Sequence, residues 1–107
     1  MAKRPKFTFS FAPEAIEHLD RIEPKHHSLL RQTIREQLSH TPTEETRNRK
    51  PLDQPAPFGA SWELRCGPDN RFRAFYEVDS ETHLVRVLAI GVKDRSRLLI
   101  GGEEYET

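Results

Sequence analysis

The side chains of this sequence that could do the most chemistry are its arginines and lysines between positions 49 and 97. Arg49 and Lys50 come first, Arg65, Arg71 and Arg73 crowd into one short stretch, and Arg86, Lys93 and Arg95 follow. Guanidinium and ammonium groups that converge on one place can hold an anionic ligand. The other reactive types offer less. Of the histidines at 18, 26, 27, 40 and 83, only His26 and His27 are neighbours, and adjacent residues point apart on a helix, so no metal-ligand spacing is present. His83 reads as a surface residue at a strand edge, with a general base as the alternative. Cys66 is alone, with no evident activating base, and reads as passive. Gly101-Gly102 has no strand-to-helix context, so it reads as the end of a helix and not as a phosphate loop.

The elements that must position these cations follow from periodicity. Phe7, Phe9 and Phe11 alternate with Thr8 and Ser10, which predicts a strand over Lys6 to Phe11 with one buried face. Pro13 and Glu14 suit a helix start, and Ala15, Leu19 and Ile22 share one side, which predicts a short helix ending before Pro24. Pro24 opens a second helix, whose Leu30, Ile34 and Leu38 recur every four residues to about Ser39. Residues 40 to 60, with Pro42, Pro51, Pro55 and Pro57 and no sustained period, read as a connection long enough to suggest function or disorder. Three strands are predicted next, over Ser61 to Cys66, Arg71 to Asp79 and His83 to Gly91, separated by Gly67-Pro68-Asp69-Asn70 and Ser80-Glu81-Thr82. A short helix is expected from Arg95 to Ile100. The result is an α+β fold: an N-terminal strand, a helical hairpin, and a three-stranded antiparallel meander that completes a four-stranded sheet.

Alternation also predicts where the cations point. Trp62, Leu64 and Cys66 must face the helices together with Phe72, Ala74, Tyr76 and Val78. Leu64 must therefore stand across from Phe72 or a residue two positions away, and the connection over 66 to 70 has five residues. Glu63 is then expected opposite Arg73, and Arg65 opposite Arg71, on the sheet face turned away from the helices, with Arg86 beside Phe75. Like charges directly opposed cost stability, so an anionic ligand is the function such a face suggests. The plain alternative is solvated surface with Glu63 paired to Arg73. On an exposed face, Arg73→Ala is expected to leave folding nearly intact.

Composition sets the outer limits. A chain of 107 residues suggests one domain, with a folded core over 6–100 and an acidic tail over 101–107. Charged residues make up 32% and hydrophobic residues 35%, so the core is expected to be thin. The 17 basic and 17 acidic side chains cancel, but residues 46 to 97 hold ten basic against seven acidic groups, and the last ten residues carry only acids. A lone cysteine excludes an internal disulfide. No apolar run approaches the roughly 18 residues of a membrane helix, and no signal peptide is evident. A cytoplasmic protein without a membrane partner is expected.

Three segments carry a resemblance. Trp62-Glu63-Leu64-Arg65, then Arg71-Phe72-Arg73-Ala74-Phe75-Tyr76, then Val87 to Arg95 with its Gly91-Val92-Lys93-Asp94-Arg95 ending, resemble the C-terminal half of the RelE/ParE toxins of type II toxin–antitoxin systems. Asn48-Arg49-Lys50-Pro51-Leu52 looks like the family's segment before the second strand, and the likeness spans roughly residues 7 to 100. What it implies is a RelE-like fold and a toxin neutralised by a cognate antitoxin. A RelE-like member would be an endoribonuclease that inhibits translation by cutting messenger RNA on the ribosome. A ParE-like member would inhibit DNA gyrase without chemistry, and a degenerate member would not be toxic. For the RNA-cutting case the resemblance implies Arg65, Arg73 and Lys93 as catalytic groups, Arg49, Lys50, Arg71, Arg86 and Arg95 as RNA-binding groups, and neither metal nor cofactor. Ser61 and Glu63 stand where strict RelE-like cutters carry lysines, and Leu98-Leu99-Ile100 replaces the tail tyrosine often used there, with Tyr105 further along.

Overall fold

The computed structural model describes residues 6–105. The first strand, β1 (Thr8–Phe11), turns Phe9 and Phe11 inward and Thr8 and Ser10 out, as its alternation requires. Two helices follow, α1 (Pro13–Asp20) and α2 (His27–Leu38), joined by a short 3-10 turn at Pro24–His26. Pro13 occupies the first helical position, where a missing amide costs nothing, and Glu14 favours the positive end of the helix dipole. Ala15 and Leu19 from α1 and Ile22 just after it, with Leu30, Ile34 and Leu38 from α2, enter the core. The helices cover one sheet face, α1 against the fifth strand and α2 against the third.

The sheet has seven strands, where the sequence suggested four. Beyond β1 these are β2 (Arg49–Pro51), β3 (Trp62–Cys66), β4 (Phe72–Asp79), β5 (Leu84–Asp94), β6 (Arg97–Ile100) and β7 (Glu103–Glu104). They lie in the order β2-β3-β4-β5-β6-β7, and β1 runs parallel to β5 beside it; every other pairing is antiparallel. Three strands account for the difference: the long connection gives up three residues to an edge strand, the expected C-terminal helix is a strand, and the segment after it adds β7. Because β5 runs to Asp94, its end offers Gly91 to Asp94 as an open edge, and Leu98 to Ile100 pair with it. Arg95 takes a left-handed backbone (φ 57°) in the two-residue turn that reverses the chain. Gly101 and Gly102, both at positive φ, therefore turn β6 into β7 and end no helix. Of the acidic tail expected over 101–107, residues 106 and 107 lie outside the described residues.

β3 and β4 pair with the expected parity but are shifted by two residues. Leu64 faces Ala74, Cys66 faces Phe72, Arg65 faces Arg73 and Glu63 faces Phe75. A bulge follows on β5. Tyr76 opposes Val87 while Phe75 opposes Ala89, so Leu88 is the extra residue and the alternation of β5 switches there. Val85, Val87 and Ile90 all reach the helix-side core as a result. The opposite face is not bare: Ala60, Phe75, Ala89 and Ile100 form a second buried cluster there, flanked by Leu52, Leu88, Leu98 and Tyr105. The Tyr76 hydroxyl, deep in the main core, donates to the Pro42 carbonyl at 2.7 Å and anchors the long connection.

β1 and β6 share one edge of β5, and His18 fills the gap they leave. Its Nδ1 accepts the Ile90 amide at 3.3 Å, so the ring is neutral with its proton on Nε2. Burial lowers the His18 pKa below 6.5, against the opposing pull of Glu17 and Glu14. The folded chain thus binds this proton less readily than the unfolded chain, and stability falls as pH drops from 6.5 towards the lowered folded value. Urea unfolding at neutral pH and at about pH 5.5 should show this loss, and His18→Gln should shrink the difference between the two. An unchanged difference would assign the acid sensitivity to other groups.

Candidate anion-binding site

The cations singled out from the sequence divide into four places. Arg65 and Arg73 are direct cross-strand partners on the sheet face away from the helices. Lys50 joins them from β2, where it pairs with Glu63. Lys93 lies on the same face by alternation, two residues beyond Gly91, the β5 partner of Arg73. Lys50, Arg65 and Arg73 gather at one place, and Lys93 lies beyond them towards the sheet end.

At their centre is Glu63. Its Oε1 lies 3.7 Å from Arg73 Nε, and its Oε2 lies 3.8 Å from both Arg65 Nε and Lys50 Nζ. Oε2 is buried and accepts no hydrogen bond from the described residues. The single carboxylate offsets one of three cations, so the cluster keeps a surplus of positive charge. This arrangement lets Arg65 and Arg73 stand opposed, since a shared anion between like charges removes most of their repulsion. Arg73 is further committed: its Nη1 donates to the carbonyls of Asn70 and Phe72. Burial lowers its pKa, with Glu63 acting against that and Arg65 with it. The side chain is only 11% exposed, so the expectation that Arg73→Ala would be innocuous does not fit its surroundings.

Arg71 goes elsewhere. With the register shifted by two it sits in the β3–β4 turn and not opposite Arg65, and its guanidinium lies 5.8 Å from the centre of the Phe72 ring, a core residue. With Lys93 and Arg95 it lines a cleft of about 410 Å³ at the sheet end, walled by His26, Pro68, Asp69, Phe72 and Asp94. None of Arg71, Lys93 and Arg95 forms an ion pair among the described residues; Asp94 instead holds Arg97 at 3.2 Å. The Arg71 carbonyl accepts the Lys93 amide at 2.6 Å, which fixes the two strand ends together. This cleft and the Glu63 cluster meet at the same turn, through the Arg73 bond to Asn70.

Two expected members are absent from the site. Arg49 lies on the helix side of β2, 7% exposed, with its Nη1 donating to the carbonyls of Gln37 (3.0 Å) and Thr41 and its Nε to Thr46 Oγ1 (3.3 Å). It ties the end of α2 to the edge strand and is not available to RNA. Arg86 is on the expected face, where the bulge turns it, but it stands opposite Glu77 and not beside Phe75, and its Nη1 bonds Glu77 Oε1 at 2.6 Å at the far end of the sheet. His83 is in the β4–β5 turn at that far end, its ring against Phe7. Burial pushes the Cys66 thiol up to about 12, against the pull of Arg73, which removes it as a nucleophile. Among the described residues no three His, Cys, Asp or Glu side chains gather as a metal site would need. No helix is long and apolar enough to cross a membrane.

Sequence reasoning treated Glu63 as a departure from a pattern and missed it as the organiser of the site. A carboxylate flanked by Leu64 and Trp62 on a strand with Arg65 two positions away was the available signal, since alternation alone puts both charges on one face.

Comparison with known proteins bears on the fold. No family model matches the sequence, and no curated protein matches it. Among solved structures, the chain is similar to a chain of the toxin–antitoxin complex RelBE2 from Mycobacterium tuberculosis, with a TM-score of 0.64 at 22% sequence identity over 82% of this chain and 99% of that one. The likeness shows a shared α+β, RelE-like fold.

Proposed function

We propose that this chain is the toxin half of a toxin–antitoxin pair, RelE-like in action, which inhibits translation by cleaving messenger RNA on the ribosome and is neutralised by a cognate antitoxin. The observation that carries this reading is the gathering of Lys50, Arg65 and Arg73 on one sheet face around Glu63, next to a cleft that holds Arg71, Lys93 and Arg95. The shared fold and the three strand segments that resemble the RelE/ParE toxins support it further.

In this reading Arg65 and Lys93 grip the scissile phosphate from the open face. The ribose 2′-hydroxyl passes its proton to water and attacks phosphorus, the bond to the 5′-oxygen breaks as that oxygen takes a proton from water, and a 2′,3′-cyclic phosphate and a 5′-hydroxyl result. The cations stabilise the charge that gathers on the non-bridging oxygens, worth orders of magnitude in rate where donors are already in place. Arg73, held by Asn70 and Phe72, positions Glu63 and the turn. Arg71 and Arg95 take flanking phosphates, a contact that sets register and not sequence.

The test is induction of the wild-type chain and of an Arg65→Gln/Lys93→Gln variant, with growth followed and transcript ends mapped. Wild type should arrest growth and produce new messenger RNA ends, and the variant should do neither while keeping its circular dichroism. Arrest without new ends, accompanied by loss of DNA supercoiling, would replace this reading with gyrase inhibition. Absence of arrest would remove the toxin reading altogether.

A further inference from the structure

Away from the cation cluster, where the end of α1 meets β6 and β7, lies a cavity of about 600 Å³ with the opposite charge. His18 stands in its wall, only 8% exposed. One ring nitrogen is committed: Nδ1 accepts the Ile90 amide at 3.3 Å, which leaves the proton on Nε2. That Nε2–H makes no hydrogen bond among the described residues, although a donor held so deep is ordinarily satisfied. Gly101 keeps it open to the cavity, since a Cβ there would stand 3.1 Å from the ring's Cδ2 and 3.7 Å from Nε2 itself. Phe58 forms a second wall, its ring edge-to-face with His18 at 5.1 Å between centroids. Its backbone is left-handed, φ 56°, which a bulky aromatic rarely adopts, and yet the ring is 48% exposed. Burial therefore does not account for the strain, and strain of this kind collects at ligand clamps. The rim is acidic: Glu17 and Asp20 from α1 and Glu103 from β7 line it, and none of the three forms an ion pair among the described residues. Arg21 leans towards Gly102 at one end and offsets one of these carboxylates, which leaves two uncompensated.

Each feature calls for a different part of one ligand. The carboxylates call for a cation, the open Phe58 ring for a flat one, and the Nε2–H for a hydrogen-bond acceptor. A metal ion or a polyamine brings no acceptor, and an anion meets the acidic rim. An arginine within an extended peptide brings all three, because its planar guanidinium stacks on an aromatic face and pairs with carboxylates, while the backbone beside it offers a carbonyl. We infer that this corner docks a partner protein through an arginine of an extended segment, whose guanidinium lies between Phe58 and the carboxylates of Glu17 and Asp20 while a neighbouring backbone carbonyl accepts from His18 Nε2. An arginine seated in a pocket is the kind of anchor that dominates a protein interface. The inference stands apart from the RNA reading, which concerns the cations of β2 to β4 and the cleft beside them.

Nuclear magnetic resonance titration of the isotope-labelled protein at neutral pH with the peptide acetyl-Ala-Ala-Arg-Ala-Ala-amide tests this. The amide signals of Glu17, Asp20, Phe58, Gly101 and Glu103 should shift saturably, together with the His18 ring nitrogens. Replacing the arginine by citrulline, its uncharged analogue of nearly equal shape, should weaken binding about tenfold, and replacing it by lysine about threefold. Phe58→Asn, which keeps a residue that accepts the left-handed backbone, and Glu17→Gln/Asp20→Asn on the exposed rim should each weaken the arginine peptide about fivefold. Free arginine, whose carboxylate meets the acidic rim, should bind more weakly than the peptide, and equal binding would replace the protein partner with the amino acid itself. No saturable shift, shifts spread over carboxylates elsewhere such as Glu36 and Asp79, equal binding of the citrulline or lysine peptide, or full affinity in either variant would overturn the inference. All of these outcomes leave the RNA reading where it stands.

Discussion

Replacing Gly67 with alanine should destabilise the protein by about 3–5 kcal/mol, lowering its melting temperature by about 12 °C or more. Gly67 follows β3 at φ 78°, ψ −178°, a backbone region that residues with a Cβ scarcely enter. A Cβ built there would also sit 2.7 Å from Cδ2 of Phe72, itself 2% exposed and packed against His26. Neither penalty relaxes without the other, because moving Phe72 opens the core and moving Gly67 breaks the turn. That turn supplies the Asn70 carbonyl to Arg73 and the Arg71 carbonyl to Lys93, so growth arrest should weaken along with stability. Thermal unfolding followed by circular dichroism measures the first effect. A variant within 1 kcal/mol of wild type would mean that the turn does not hold the register.

The second large effect is expected at Arg49, a residue the sequence suggested would bind RNA. Arg49→Ala should cost about 2–4 kcal/mol, since the substitution strands the Gln37 and Thr41 carbonyls that its guanidinium caps at the end of α2. Arg49→Lys should recover little of this, because one ammonium cannot span the several acceptors that the guanidinium reaches. The diagnostic is the comparison with Lys50→Ala, one position along on the opposite face and half exposed. Lys50→Ala should change stability by less than about 0.5 kcal/mol. Denaturant midpoints for the two variants check the contrast. Equal, small losses would return Arg49 to the surface.

Much of the site was legible before any coordinates. Alternation put Arg65 and Arg73 on the same face as Glu63, and turn chemistry at Gly67-Pro68-Asp69-Asn70 put a reversal between β3 and β4. Part of the plain alternative holds as well, since Glu63 does pair with Arg73, at 3.7 Å. Arg49, Arg71 and Arg86 were misplaced, each for a separate reason. Arg49 lies in a connection without periodicity, where nothing local says which way a side chain turns. Arg71 moved from strand to turn when the pairing shifted by two. Arg86 was given the right face but the wrong neighbour, because the β4–β5 register sets Ala89 opposite Phe75 and Arg86 opposite Glu77. The C-terminal segment was read as helix because three consecutive apolar residues, Leu98-Leu99-Ile100, fit either period, and the open edge of β5 decided between them.

What the sequence determined by itself is parity and order: which residues share a face, and how strand, helices and meander succeed one another. Both follow from covalent geometry, since side chains alternate along a strand and recur every three or four positions along a helix whatever lies nearby. Register, the bulge and the ion-pair partners were settled only by tertiary structure. A shift of two residues leaves every side chain on its original face, so the hydrophobic pattern is blind to it. The choice falls to the backbone of one glycine turn and to the carboxylate that lets two arginines stand opposed.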